Sequence, residues 1–127
     1  MTNTNVLVRL IECWNTGKLD AIDELLSPDF IRHEPEMGGR TTGREHYKQT
    51  VSHQRSALPD FHTEAADTIE QGNKLVWRFK TTGRRNNSPF VFEGVNILRI
   101  EENKVVEDWL FFDATAIRGR LAQAQTA

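Results

Sequence analysis

Near its C-terminal end the chain reads VVEDWLFFDATAI, residues 105 to 117, a run that mixes aromatic side chains with acids and ends on Asp113 before helix-forming sequence. A carboxylate held against aromatic rings suits general acid/base work. Desolvation raises its pKa toward neutrality, where it can take a proton from carbon and return it. Asp113 has a second reading, because it directly precedes Ala114, Thr115, Ala116 and Ile117 and so stands where an aspartate caps a helix. Such a cap contributes about 0.5–2 kcal/mol relative to alanine and favours the charged carboxylate. On the residues alone both readings stand. His33, within Phe30-Ile31-Arg32-His33-Glu34-Pro35, is either a solvent-facing edge-strand histidine or a donor to a substrate carbonyl. Asn96 lies mid-strand, where asparagine is disfavoured, so its amide either has buried partners or points at a ligand.

Other chemistries find no residues to carry them. Cys13 is the only cysteine and sits in helical sequence, which removes disulfides and cysteine-based zinc cages. His46 and His53 lie seven apart on one helix, about 10 Å along its axis, too far to share a metal. No glycine-rich phosphate loop, serine elbow or Schiff-base lysine context appears. Neither a metal nor a cofactor is expected. Sixteen basic residues against eighteen acidic ones leave a net charge of −2, which gives no general attraction to nucleic acid or anionic lipid. The apolar stretch Val6 to Ile11 is broken by Arg9 and lacks a basic leader, and no run of about 18 apolar residues occurs. The expectation is a cytosolic protein, neither exported nor membrane-spanning.

At 127 residues the chain fits a single domain, residues 1–127, able to bury one core. Leu7, Leu10, Ile11 and Trp14 mark one face of a first helix, capped by Asn3 or Thr4 and ended by Asn15-Thr16-Gly17. A second, over Leu19 to Leu26, should stop at Ser27-Pro28. Asp29 to Glu34 reads as a short strand and Met37 to Gly43 as a glycine-bearing loop. Arg44 to Ser56 is a third helix, with Tyr47, Thr50, Val51 and Gln54 on one stripe. From Phe61 onward, four extended runs separated by compact turns predict an antiparallel meander, with frayed ends at Met1–Asn3 and Gln123–Ala127.

If the last hairpin closes symmetrically around Glu102-Asn103, Asn96 faces Trp109, Gly94 faces Phe111 and Phe92 faces Asp113. That register gathers Asn96, Trp109 and Phe111 with Asp113 on one face. Trp14, Phe30 and Tyr47 are core aromatics that can double as pocket wall. The preceding hairpin sets Asp67 opposite Arg78 and Ala66 opposite Phe79. The first pair predicts a cross-strand ion pair, and Arg78 becomes an anion or carbonyl contact if it faces the pocket. The last two strands are apolar on both faces, and the helices are too few to cover both. A homodimer through the sheet is therefore expected.

The order of elements, with "FIRHEP", "ALPDF", "GVNILRIEENKVVEDW" and the terminal Asp113, resembles the SnoaL-like polyketide cyclases of the nuclear-transport-factor-2-like superfamily, over roughly residues 5 to 122. The resemblance implies an α+β fold, a cone-shaped curved antiparallel sheet wrapped by N-terminal helices. It also implies Asp113 as general acid/base in ring closure. Where related epoxide hydrolases carry Arg-x-Asp, this chain has Arg78-Phe79-Lys80. The expectation is a cyclase- or isomerase-type enzyme acting on a small hydrophobic carbonyl compound, with Asp113 and His33 catalytic. Asn96, Trp109, Phe111, Tyr47, Trp14, Phe30 and Arg78 would contact the ligand. A non-catalytic metabolite-binding domain and a dimeric interaction module are the alternatives.

Overall fold

The computed structural model describes residues 2–35 and 39–112. Helix α1 spans Asn3–Thr16 and buries Val6, Leu7, Leu10 and Cys13, the i, i+4, i+7 stripe of an amphipathic helix. Its cap is Thr2, one residue before the expected positions, so Asn3 is helical rather than frayed. The Thr2 hydroxyl accepts from the Asn5 amide at 3.0 Å. Gly17 closes the other end with φ of 75°. A Cβ there would also lie 2.8 Å from Arg55 Nε.

Helix α2 is a single turn, Ile22–Leu25, much shorter than expected, and β1 begins at once over Leu26–Glu34. Pro28 therefore lies inside a strand instead of ending a helix. Between Leu26 and Ile31 the pairing of β1 is irregular, so the missing proline N–H costs no regular ladder bond. The expected glycine loop contains strand β2, Gly39–Thr42, which pairs antiparallel with β1. Helix α3, Arg44–Ala57, follows and buries Tyr47 and Val51.

The meander is β3 (His62–Gln71), β4 (Lys74–Arg85), β5 (Ser88–Glu101) and β6 (Lys104–Phe112). Asn86-Asn87 and Glu102-Asn103 turn two of its hairpins with positive φ at both central residues, which matches strand twist. β1 pairs with β6 in parallel, giving one curved six-stranded sheet in the order β2-β1-β6-β5-β4-β3. All neighbours except β1 and β6 are antiparallel. The fold is the α+β roll expected. Among the described residues no helix is long and apolar enough to cross a membrane.

Two bulges alter the expected registers. Ile100 does face Val105, but Arg99 faces Glu107, so Val106 is an extra residue and every later pair moves by one. Asn96 faces Leu110, Val95 faces Phe111 and Gly94 faces Phe112. The inner face of β6 therefore carries Asp108, Leu110 and Phe112, and Trp109 and Phe111 lie on the reverse face. In β3, Asp67 faces Arg78 as expected, but a bulge sets Ala65 opposite Phe79, displacing Ala66. No ion pair forms between Asp67 and Arg78 among the described residues.

The core fills the space between the helices and the inner face, from Val6, Leu7 and Ile22 to Leu75, Leu98 and Val105. Gly94 lets β5, β6 and the Phe79 ring approach closely. A Cβ there would sit 2.5 Å from both the Phe111 carbonyl oxygen and that ring. Gly94→Ala is expected to lower stability by about 1–3 kcal/mol, seen as a reduced urea midpoint at unchanged slope. An unshifted midpoint would mean the strands separate without strain.

Candidate active site

Between α1, α3 and the inner face of the sheet lies a cavity of about 420 Å³. Its walls are mostly aromatic: Trp14, Phe61, Trp77, Phe79, Phe90 and Phe92. Trp14 stacks on Phe61 and meets Tyr47 edge-on, each with ring centroids 5.8 Å apart. At one end β1 and β5 contribute Arg32, Glu34 and Asn96 to the wall, and Asp108 of β6 lies buried behind them.

These residues form one continuous chain of hydrogen bonds. Trp77 Nε1 donates to Asn96 Oδ1 at 2.7 Å, and Asn96 Nδ2 donates to Asp108 Oδ1 and, at 3.1 Å, to the Trp109 carbonyl. Asp108 Oδ2 accepts from Arg32 Nη1 at 3.3 Å, and Arg32 Nε donates to Glu34 Oε1 at 2.7 Å. The guanidinium also lies over the Tyr47 ring, 5.5 Å from its centroid. Tyr47 Oη accepts from Trp14 Nε1 at 2.7 Å. Among the described residues no buried polar side-chain atom lacks a partner and Arg32 Nη2 bonds none of their oxygens, while Arg32 itself lines the cavity.

The burial that surrounds these groups sets their ionisation. Asp108 is 1% exposed; burial raises its carboxyl above the usual range, against the pull of the Arg32 charge and the Asn96 amide. Burial also opposes the Arg32 charge, but Asp108, Tyr47 and Glu34 outweigh it and raise its pKa. Burial raises the Tyr47 phenol too, beyond the lowering by Arg32, so its hydroxyl stays protonated and keeps a proton to donate.

Of the expected site residues, Trp14, Tyr47 and Asn96 line this cavity. Both Asn96 amide hydrogens are spent on Asp108 and Trp109, so Asn96 orients its neighbours and offers no donor to a ligand. Phe30 packs behind Tyr47, 2% exposed, and is core without being wall. His33 is on the reverse face, as β1 alternation requires once Arg32 points inward. There it stacks on Trp109 at 5.3 Å and shares a 2.6 Å hydrogen bond with Glu107. Trp109, Phe111 and Arg78 also belong to that face, Arg78 exposed. Asp113, whether as cap or as acid/base, and its pairing with Phe92 lie outside the described residues.

Arg32, Glu34 and Asp108 were not singled out from sequence. The signal for two of them lay in "FIRHEP", where Phe30, Arg32 and Glu34 alternate onto the face opposite His33. Among the described residues no group of three or more His, Cys, Asp or Glu side chains is arranged to hold a metal ion.

The family model of SnoaL-like polyketide cyclases matches residues 4–121. The chain belongs to the SnoaL-like polyketide cyclase family. Among solved structures, it is similar to wild-type IdmH, a putative polyketide cyclase from Streptomyces antibioticus, at 22% identity and a TM-score of 0.84, covering 96% of this chain and 99% of that one. A putative polyketide cyclase from Bacillus cereus ATCC 10987 matches at 28% identity and 0.83, over 92% of this chain and 78% of that one. TerC, co-crystallised with polyporic acid, matches at 18% identity and 0.82, over 94% and 98%. No curated protein matches the SnoaL-like chain at a significant level.

Removing one partner of a buried pair leaves an uncompensated charge, whereas replacing both with apolar groups is close to neutral. Asp108→Ala should therefore cost about 3–5 kcal/mol in urea denaturation, and the double variant Arg32→Met/Asp108→Leu less than the two single changes summed. Strict additivity would show that the two groups are not coupled.

Proposed function

We propose that this SnoaL-like chain is an enzyme of cyclase or isomerase type that moves a proton at the carbon next to a carbonyl in a mainly apolar small molecule. The observation that carries this reading is the paired donor at the polar end of an aromatic cavity: Arg32 Nη2 and the Tyr47 hydroxyl, both bordering the space. A ketone oxygen bound there gains negative charge as the enolate forms, and fixed donors in a dry site stabilise that charge more than water does. Asp113, by family resemblance, takes the proton. Glu34, the described carboxylate bordering the cavity, has one oxygen on Arg32 Nε and acts as an orienting group. The co-crystallisation of the structurally similar TerC with polyporic acid is in keeping with an aromatic ligand. The chemistry is proton transfer alone and needs no cofactor.

The test uses 4-acetylbiphenyl in deuterated buffer, with exchange of its acetyl protons followed by NMR. Wild type is expected to accelerate exchange above the buffer rate. Asp113→Asn should lose roughly 10²–10⁴-fold of that and Arg32→Met roughly 10²–10³-fold. No acceleration despite saturable quenching of tryptophan fluorescence would make the chain a binding domain. Loss in Glu34→Gln with none in Asp113→Asn would move the base to Glu34.

The same chain is proposed to form a homodimer through the reverse face of its sheet. Ile69, Val76, Ile97 and Trp109 line up there across β3 to β6, with Val95 and Phe111 beside them. Ile69 is 66% exposed and Phe111 37%. A second copy laid on this row removes that apolar surface from water. Sedimentation should give twice the 14.6 kDa chain mass. Phe111→Lys should shift the protein to monomer at equal concentration, and a wild-type monomer would end the proposal.

A further inference from the structure

The far end of the cavity differs in charge from the end that holds Arg32. α3 runs along the cavity from Tyr47 to Ala57, ten residues or ~15 Å, so a ligand with its carbonyl at Arg32 and Tyr47 reaches the α3 C-terminus only if it is extended. Arg85 and His53 stand at that end. Arg85 Nη1 donates to the Ala57 carbonyl at 3.2 Å, which fixes the guanidinium against the helix. His53 is one turn before Ala57 on the same helix face, so its imidazole borders the same space.

The charges along the wall are not balanced. Glu34 is the one carboxylate among the described lining residues, and it is engaged by Arg32. Arg84, next in sequence, pairs with Asp60 at 3.1 Å, whereas Arg85 has no carboxylate within salt-bridge distance among the described residues. A half-buried, anchored cation facing a mostly aromatic space is a preorganised contact for an anion. Its remaining N–H groups are held in place before any ligand arrives.

We infer that the ligand is an extended aromatic ketone bearing a carboxylate at the end remote from its carbonyl, with that carboxylate between Arg85 and His53. The inference rests on the ketone-binding reading above and adds the class of substrate. The two ends then orient the molecule, because the Arg32 guanidinium is already paired with Glu34 and Asp108 and a third carboxylate there is disfavoured, whereas Arg85 has none among the described residues. The carboxylate is bound at the Arg85 end.

Three probes separate this from the parent reading: 4-acetylbiphenyl, 4′-acetylbiphenyl-4-carboxylic acid and the methyl ester of that acid, each titrated by tryptophan fluorescence. The acid should bind about tenfold tighter than the ketone or the ester, and the gap should narrow to within about twofold in Arg85→Gln. In wild type the gap should also shrink as salt is raised from about 20 mM to about 0.5 M, where screening reaches across a few ångströms. Equal binding of acid and ketone, or a gap that survives in Arg85→Gln and at high salt, overturns the inference and leaves the ketone reading standing. Binding of none of the probes overturns both.

Discussion

A single buried chain of hydrogen bonds, from Trp77 through Asn96 and Asp108 to Arg32 and Glu34, crosses β4, β5, β6 and β1 and takes at least one side chain from each. Arg32 is its fixed point. A guanidinium keeps its charge at any ordinary pH, so burying it against Tyr47 obliges the sheet to supply carboxylates on the same face. That requirement holds β1 in the one parallel pairing of the sheet, where Arg32 lies opposite Asp108. The pairing is short and irregular, and backbone bonds alone would hold it weakly. Because no fully buried side-chain atom among the described residues lacks a partner, the network specifies one arrangement where a half-satisfied one would be costlier than an apolar core.

Much of the architecture was legible because its signals are local. The 3.6-residue stripes of α1 and α3, the turn sequences of the meander and the facing of Asp67 and Arg78 depend on neighbours close in the chain. What escaped depended on contacts between distant segments. Asp108 and Arg32 are 76 residues apart, and nothing in either segment says that they meet. The Val106 bulge was equally hidden, since with apolar residues on both faces of β5 and β6 the alternation has no preferred register. One extra residue then reversed the assignments of Trp109 and Phe111 and brought an unsuspected aspartate inward. Asn96 is unusual in mid-strand, and its buried partners Trp77 and Asp108 account for it there.

The helical wall is fixed by the caps of the helices themselves. Arg55 Nη1 donates to the carbonyls of Trp14 and Asn15 at 2.9 and 2.7 Å, tying α3 to the end of α1. The Asn15 amide then bonds the Thr63 backbone in both directions, tying α1 to β3. Trp14 and Tyr47 are thus held on opposite sides of one junction with their mutual hydrogen bond as the latch. The donors facing this space have their orientation already set, which keeps the ordering cost of any group bound there small.

The bulge also decides which of two adjacent acids is buried, since alternation sends them to opposite faces. Asp108 turns under the cavity, where burial raises its carboxyl, while Glu107 turns outward, where the hydrogen bond from His33, followed by Arg99, lowers its own. Their effects on stability then run in opposite directions with pH. Glu107 stabilises the fold above the ordinary glutamate range, and that contribution is lost as pH falls through its lowered value. Asp108 binds its proton more tightly in the folded chain than in the unfolded one, so its contribution declines as pH rises from the ordinary aspartate range through its raised value. Mild acid therefore relieves the charge buried beneath the cavity through Asp108, and only stronger acid, below the ordinary glutamate range, weakens the reverse face through Glu107. Two consecutive residues respond oppositely to the same proton concentration because strand alternation sets them on opposite faces, and the single unpaired valine decides that Asp108 is the one turned inward.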